Sequence, residues 1–220
     1  MQNWVFDIRS RKFFLLLVFF IVLTCLVYAK ITRPFDDAIV TYVQLLGGNH
    51  ALDLAMEIFS EISDIHPPFY MPIFAIILIL KKSTRRLGLV LLLSLVVGTI
   101  AALTMKPLVG ADRPELDFLG TPFPISLGKD PFGFGSGSFP SGHATRTAAF
   151  AFVIGFALSE RFPRGCYLLW IFPLLVSISR VFILEHFPMD VIGGTVLGIL
   201  IADIVSKKLK LHLIFEKSKA

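Results

Sequence analysis

Charge is scarce in this chain. Asp, Glu, Lys and Arg make up 17% of its 220 residues, against about 25% in a soluble globular domain. Together with 55% apolar residues and a mean hydropathy of +0.77, that scarcity excludes an ordinary water-exposed fold. Cysteine is limited to Cys25 and Cys166. Both lie in or beside apolar runs and form no CxxC pair, so they read as packing residues and leave the redox compartment undefined. No internal repeat is present, which excludes a solenoid. The net charge of +5 invites a nucleic-acid reading. The basic residues, however, sit in short clusters between apolar runs, where they act as topology signals. No nucleic-acid partner is expected.

What remains is a polytopic membrane protein. Apolar segments run approximately over 13–29, 67–80, 87–105, 144–159, 165–184 and 188–205. The second and fourth fall short of the ~20 residues that cross a bilayer, and each is expected to extend into flanking turns or run partly inside the bundle. The expected fold is all-α, a six-helix transmembrane bundle forming one domain. Residues 1–65 hold the first span and an outer segment, 66–206 the main bundle, and 207–220 a basic tail.

Orientation follows from Lys and Arg. Arg9, Arg11 and Lys12 precede the first span. Lys81, Lys82, Arg85 and Arg86 separate the second and third. Arg161 and Arg164 separate the fourth and fifth, and Lys207, Lys208, Lys210, Lys217 and Lys219 follow the sixth. These clusters share one side if the helices alternate, which places both termini in the cytoplasm. The first segment also has the charged start and the Val27-Tyr28-Ala29 exit of a signal peptide. Its long apolar run and the lack of a small-residue cleavage region favour a retained span. Over 35–63, apolar residues recur at helical spacing (Ile39, Val43, Leu46; Leu52, Met56, Phe59), broken at Gly47-Gly48. Two amphipathic helices at the outer interface fit, as does a solvated helical hairpin. The Gly-, Pro- and Phe-rich loop 115–139 has little period, and capping a site or dipping into the headgroup region both suit it.

Three short stretches gather most of the charge and histidine of the opposite, outer side: 106–114 (KPLVGADRP), 140–143 (PSGH) and 179–190 (SRVFILEHFPMD). They offer Lys106, Arg113 and Arg180 as cations, His143 and His186 as titratable groups, and Asp190 as a carboxylate. A phosphoryl group in transit spreads negative charge over its oxygens, so its transfer depends on positioning and electrostatic stabilisation. Two guanidinium forks and an ammonium supply that. Ser141, Gly142 and His143 precede the fourth apolar run, where their backbone N–H groups would face an anion at a helix N-terminus, and Gly142 permits close approach. Asp190 lies four residues after His186. At that spacing its carboxylate can take the Nδ1–H and leave Nε2 free to attack phosphorus. His143 is then the natural general acid and base.

Blander readings stand beside these. A single interfacial His is often a polar anchor, a lone Arg near a helix end often snorkels, and a His–Asp pair can be a local helix contact. A metal held by His143, His186 and Asp190 is conceivable, but three cations in the same place would repel it. No metal and no cofactor is expected.

The ordered triple Lys106-(six residues)-Arg113-Pro114, Pro140-Ser141-Gly142-His143 and Ser179-Arg180-(five residues)-His186-(three residues)-Asp190 resembles the signature of the type 2 phosphatidic acid phosphatase (PAP2) superfamily. That superfamily joins membrane lipid phosphatases to the soluble vanadium haloperoxidases. The resemblance covers the C-terminal half. It implies a six-helix bundle with an outward-facing, metal-independent site. His186 would be the nucleophile, Asp190 its partner, His143 the acid and base, and Lys106, Arg113, Ser141, Gly142 and Arg180 the phosphate ligands. Three neighbours add to the pattern: Asp112 beside Arg113, Glu185 beside His186, and Arg146 one turn after His143, as a headgroup contact or a helix-end anchor.

The activity so implied is hydrolysis of a lipid phosphomonoester or diphosphate in a bacterial inner membrane. Undecaprenyl diphosphate is favoured over phosphatidic acid and phosphatidylglycerophosphate. A lipid phosphotransferase or lipid A phosphatase of the same superfamily, and a non-catalytic lipid-phosphate binding or transport protein, are the alternatives. The oligomeric state is not legible.

Overall fold

A computed structural model describes residues 11–62, 70–116 and 137–216. All regular structure among them is helical: α1 Arg11–Tyr28, α2 Arg33–Gln44, α3 His50–Ile62, α4 Tyr70–Leu80, α5 Arg85–Val109, α6 Gly142–Leu158, α7 Ile171–Phe182, α8 Pro188–Lys208 and the short α9 Leu213–Glu216. A 3-10 helix, Gly165–Trp170, leads directly into α7. Helices are what a chain of this hydropathy must form, because hydrocarbon offers the backbone no other hydrogen-bond partners.

The expected six spanning helices are not what the fold contains. Among the described residues four helical runs are long and apolar enough to cross a membrane: Arg11–Tyr28, Arg85–Val109, Gly165–Phe182 and Pro188–Lys208. α4 has 11 residues and α6 has 17, short of the roughly 20 required. For α6 the reason is position. Thr145 to Phe156 is almost continuously buried, so α6 is solvated by protein and carries no requirement to match the bilayer thickness. Residues 67–69 of the second apolar segment lie outside the described residues, as do 117–136 of the long loop and Arg9, Lys129, Lys217 and Lys219.

Small residues let the helices close around α6. Ala144, Ala148, Ala149 and Ala151 are fully buried. On α8, a Cβ at Gly194 would lie 2.3 Å from the Ser141 carbonyl oxygen, and one at Gly198 would lie 2.3 Å from that of Thr145. These two glycines, four apart on one face, allow backbone to meet backbone as small-xxx-small pairs do in membranes. α1 lays Phe13, Phe20, Leu23 and Val27 against this bundle and turns Phe14, Leu15, Ile21 and Val22 outward. Cys25 also points outward, whereas Cys166 is buried, and both thiols are free.

The two helices expected at the outer interface are present on either side of Gly47-Gly48. Their facing is a surprise. α3 buries Asp53, Glu57 and Ser60 and exposes Leu54, Ile58 and Ile62, the reverse of a helix on a water-soluble protein. Ser60 meets Arg180 of α7, so the polar side is turned towards the site end of the bundle.

Candidate active site

The C-terminal ends of α5 and α7 and the N-terminal ends of α6 and α8 meet at one end of the bundle. α5 carries Lys106 in its last turn and stops at Gly110, which takes a left-handed conformation (φ 63°). The chain resumes at Gly137, which packs on this helix end: a Cβ there would sit 2.9 Å from the Lys106 carbonyl oxygen. Ser138 N–H then bonds the Ala111 carbonyl at 2.8 Å, and Ser141 N–H bonds the Asp190 carbonyl at 3.0 Å. Two backbone hydrogen bonds thus tie the first stretch to the residues just before the second, and the second to the third. The second bond corrects an expectation, since the Ser141 N–H is already committed. Gly142 and His143, in the first turn of α6, keep N–H groups that the helix itself cannot satisfy. Ser141 Oγ is buried with no hydrogen-bond partner among the described residues.

α7 ends in a tight reversal. Leu184 occupies the left-handed region (φ 60°), which costs an L-residue roughly 1–2 kcal/mol, and its buried side chain packs with Val40, Val181 and Phe187. Glu185 and His186 both donate their N–H to the Arg180 carbonyl at 3.1 Å. The turn therefore presents Arg180, Glu185 and His186 together.

His186 is 1% exposed. Its Nδ1 lies 3.3 Å from Ser138 Oγ and 3.5 Å from Asp190 Oδ2. The latter is long for a hydrogen bond, and Ser138 spans the gap by donating its hydroxyl to the same Asp190 oxygen. Phe187 N–H fixes that oxygen further, at 2.8 Å. Because the Ser138 proton is committed to Asp190, Ser138 Oγ accepts from Nδ1–H. The neutral ring then carries its lone pair on Nε2. Burial pushes the His186 pKa well below the usual 6.5, and the positive charges of Arg180, Arg113 and Lys106 push it further, against a smaller opposing effect of Glu185. His186 is neutral at physiological pH.

The cations converge beside it. Lys106 and Arg180 are buried. Arg180 Nη1 donates to Ser60 Oγ at 2.5 Å. Arg113 Nη1 pairs with Glu185 Oε2, and Arg180 Nη2 lies 3.5 Å from the same oxygen. Asp112 pairs with Lys30 at 3.6 Å. Arg146 is buried in the bundle, its Nη1 only 3.2 Å from where a Gly142 Cβ would be, so it is no lipid-facing anchor. Among the described residues no cluster of three His, Cys, Asp or Glu side chains is arranged to hold a metal ion.

Sequence reasoning missed Ser138, Ser60, Arg33 and Asp36. Arg33 places its guanidinium 4.4 Å above the Phe187 ring, and Asp36 Oδ1 accepts the Met189 N–H at 3.1 Å. α2 thereby clasps the first turn of α8. Ser138 had a local signal, a hydroxyl in the small-residue run just before Phe139-Pro140. The other three are more than a hundred residues from their partners and had none.

A family model for the PAP2 superfamily matches residues 86–211, over half of the chain. The chain belongs to the PAP2 superfamily. This PAP2 phosphatase is 27% identical over 174 residues to the undecaprenyl-diphosphatase of Sulfolobus acidocaldarius, covering 71% of this chain and 79% of that one. It is 31% identical over 169 residues to the glucose-6-phosphatase catalytic subunit 1 of Haplochromis nubilus, of which it spans 47%. Among solved structures, the transmembrane PAP2-type phosphatidylglycerolphosphate phosphatase of Bacillus subtilis superposes with a TM-score of 0.73 at 25% identity, over 90% of this chain and 96% of that one. The protein is an integral membrane PAP2-type hydrolase.

Proposed function

We propose that this PAP2 phosphatase removes the terminal phosphate of a polyprenyl diphosphate, undecaprenyl diphosphate in the first instance, through a phosphohistidine on His186. The observation that carries the reading is the Asp190–Ser138–His186 chain beside Lys106, Arg113 and Arg180. It supports a neutral imidazole whose free lone pair is on Nε2, next to a positive cradle. Nε2 attacks phosphorus and the bond to the leaving oxygen breaks, with His143 protonating that oxygen. Water then attacks the phosphohistidine and gives its proton to His143. Inorganic phosphate leaves and Nε2 is restored. Lys106, Arg113, Arg180, the Ser141 hydroxyl and the Gly142 N–H bind the phosphoryl oxygens. Asp190 stabilises the cationic ring through Ser138.

The lean towards a diphosphate lipid rests on the archaeal undecaprenyl-diphosphatase, of which this chain covers the larger share; it spans only about half of the glucose-6-phosphatase. The reading puts the site on the outer face of a bacterial inner membrane: Arg86 bonds the Lys210 carbonyl at the opposite end from the site, so two of the basic clusters share that end, which the positive-inside rule assigns to the cytoplasm. The test is phosphate release by purified protein in detergent with EDTA, over undecaprenyl diphosphate, phosphatidic acid and phosphatidylglycerophosphate. Release that survives EDTA, is fastest on the diphosphate and vanishes in His186→Ala is the expected result. Full activity in His186→Ala would remove the proposed nucleophile.

A further inference from the structure

Glu185 Oε2 is shared by Arg113 Nη1 and Arg180 Nη2. Two guanidinium groups from distant segments converge on one point, and a carboxylate oxygen sits at that point. Convergent guanidinium donors are what binds a phosphate oxygen, so the carboxylate stands in the place of an anionic ligand. The Glu185 side chain is 29% exposed against 10% for Arg180. Glu185 and Arg113, itself 33% exposed, form the solvent-accessible part of the cluster, whereas Arg180 is buried and bonded to Ser60.

We propose that Glu185 is an internal competitor for the phosphate subsite, holding the Arg113–Arg180 pair in the empty enzyme, yielding it to substrate, and reclaiming it from the product. The proposal rests on the reading of Arg113 and Arg180 as phosphate ligands. An intramolecular anion weakens every anion that must displace it by the same factor. A lipid substrate keeps its tail in the membrane and can tolerate this. Inorganic phosphate has only the cradle to hold it, in a site where three cations surround a neutral histidine. Without a competitor such a cradle would retain its product, and tight uniform binding of that kind does not raise turnover. The proximity of Glu185 to His186 also keeps a negative charge near the ring that becomes cationic when phosphorylated.

The competitor reading and a purely architectural one differ in sign. If Glu185 merely buttressed the two arginines, removing its charge would loosen the cradle and weaken phosphate binding. If it competes, the same change tightens it. The measurement is the Kd for inorganic phosphate, by calorimetric titration of the full chain in detergent, for wild type, Glu185→Gln, Glu185→Ala and Glu185→Asp. Glu185→Gln and Glu185→Ala should bind phosphate about tenfold more tightly than wild type, the worth of one charge-assisted contact. Glu185→Asp, which keeps the charge with a shorter reach, should fall between. Product inhibition of lipid hydrolysis should strengthen in the same order. Equal or weaker phosphate binding in both Glu185→Gln and Glu185→Ala overturns the proposal. If one variant does not fold, the other and Glu185→Asp still give the order. Because the readout is binding, wild type that hydrolyses no lipid while Glu185→Gln binds phosphate more tightly would sink the proposed function and leave Glu185 standing. Normal hydrolysis with the order reversed would do the opposite.

Discussion

The backbone N–H of Ser141 is bonded to the carbonyl of Asp190 at 3.0 Å. Through this contact the cap of α6, which carries His143, is locked to the first turn of α8, which carries the partner of His186. The site is therefore as rigid as the α6–α8 interface. That interface in turn depends on the absence of a side chain at two positions of α8.

Gly194 is the first of them. A Cβ there would lie 2.3 Å from the Ser141 carbonyl oxygen, which is backbone and cannot rotate away. Gly194→Ala should destabilise the protein by about 2 kcal/mol or more and depress activity with it. Gly165→Ala is the control, because its Cβ would find only an ordinary 3.5 Å contact with Phe162. Thermal melting in detergent distinguishes them, and equal melting of the two variants would contradict the packing argument.

Ser138 should matter to turnover and little to substrate binding. It is fully buried behind His186, and its hydroxyl both fixes Asp190 and accepts Nδ1–H. Ser138→Ala is expected to lower kcat roughly 10–100-fold, the loss of a hydrogen bond to a charged group, with KM nearly unchanged. Asp190→Asn should cost more, since it removes the charge that supports the imidazolium. A Ser138→Ala enzyme with wild-type kcat would show that His186 needs no such relay.

The buried neutral His186 makes a prediction about pH that needs no substrate. Its folded pKa is depressed below 6.5, so the stability it contributes is present above pH 6.5 and is lost as pH falls from there towards the folded value. Wild type should lose melting temperature between pH 7 and 5 more steeply than His186→Asn, which has nothing to titrate. Parallel curves would mean that folding leaves the proton affinity of the ring unchanged.

Asp36 gives the opposite sign. Burial raises its carboxyl from 3.8 to about 6, partly opposed by the Met189 N–H and the Thr32 side chain. Its contribution is therefore complete below pH 3.8 and lost as pH rises through about 6. Asp36→Asn keeps an acceptor for Met189 N–H and cannot ionise. It should melt above wild type at pH 8, with the gap closing by pH 4. A gap independent of pH would argue against a strained carboxylate at this point of the α2 clasp.

The long apolar helices were legible because their pattern is local. The run 87–105 reads as a span, and α5 differs from it mainly by one further turn, which puts Lys106 on the helix itself. The helices either side of Gly47-Gly48 were legible for the same reason. The number of spans was not, because the length test assumes that each apolar helix meets lipid, and α6 meets only its neighbours. The facing of α3 was hidden in the same way: periodicity shows that Asp53, Glu57 and Ser60 share a side, but which side is buried depends on what packs against it.

By itself the sequence determined that this is an all-α membrane protein and that three short stretches carry three cations, two histidines and a carboxylate of the kinds that suit phosphate chemistry, since hydropathy, basic clusters and spacing are properties of neighbouring residues. The tertiary structure alone decided that Ser138 stands between His186 and Asp190, that Ser141 spends its N–H on Asp190, that Asp36 holds the α8 turn, and that Glu185 occupies the meeting point of Arg113 and Arg180. Each of these is a contact of a few ångströms between groups up to 153 residues apart, fixed by how closely the glycine-faced helices can approach, and no local pattern encodes that distance.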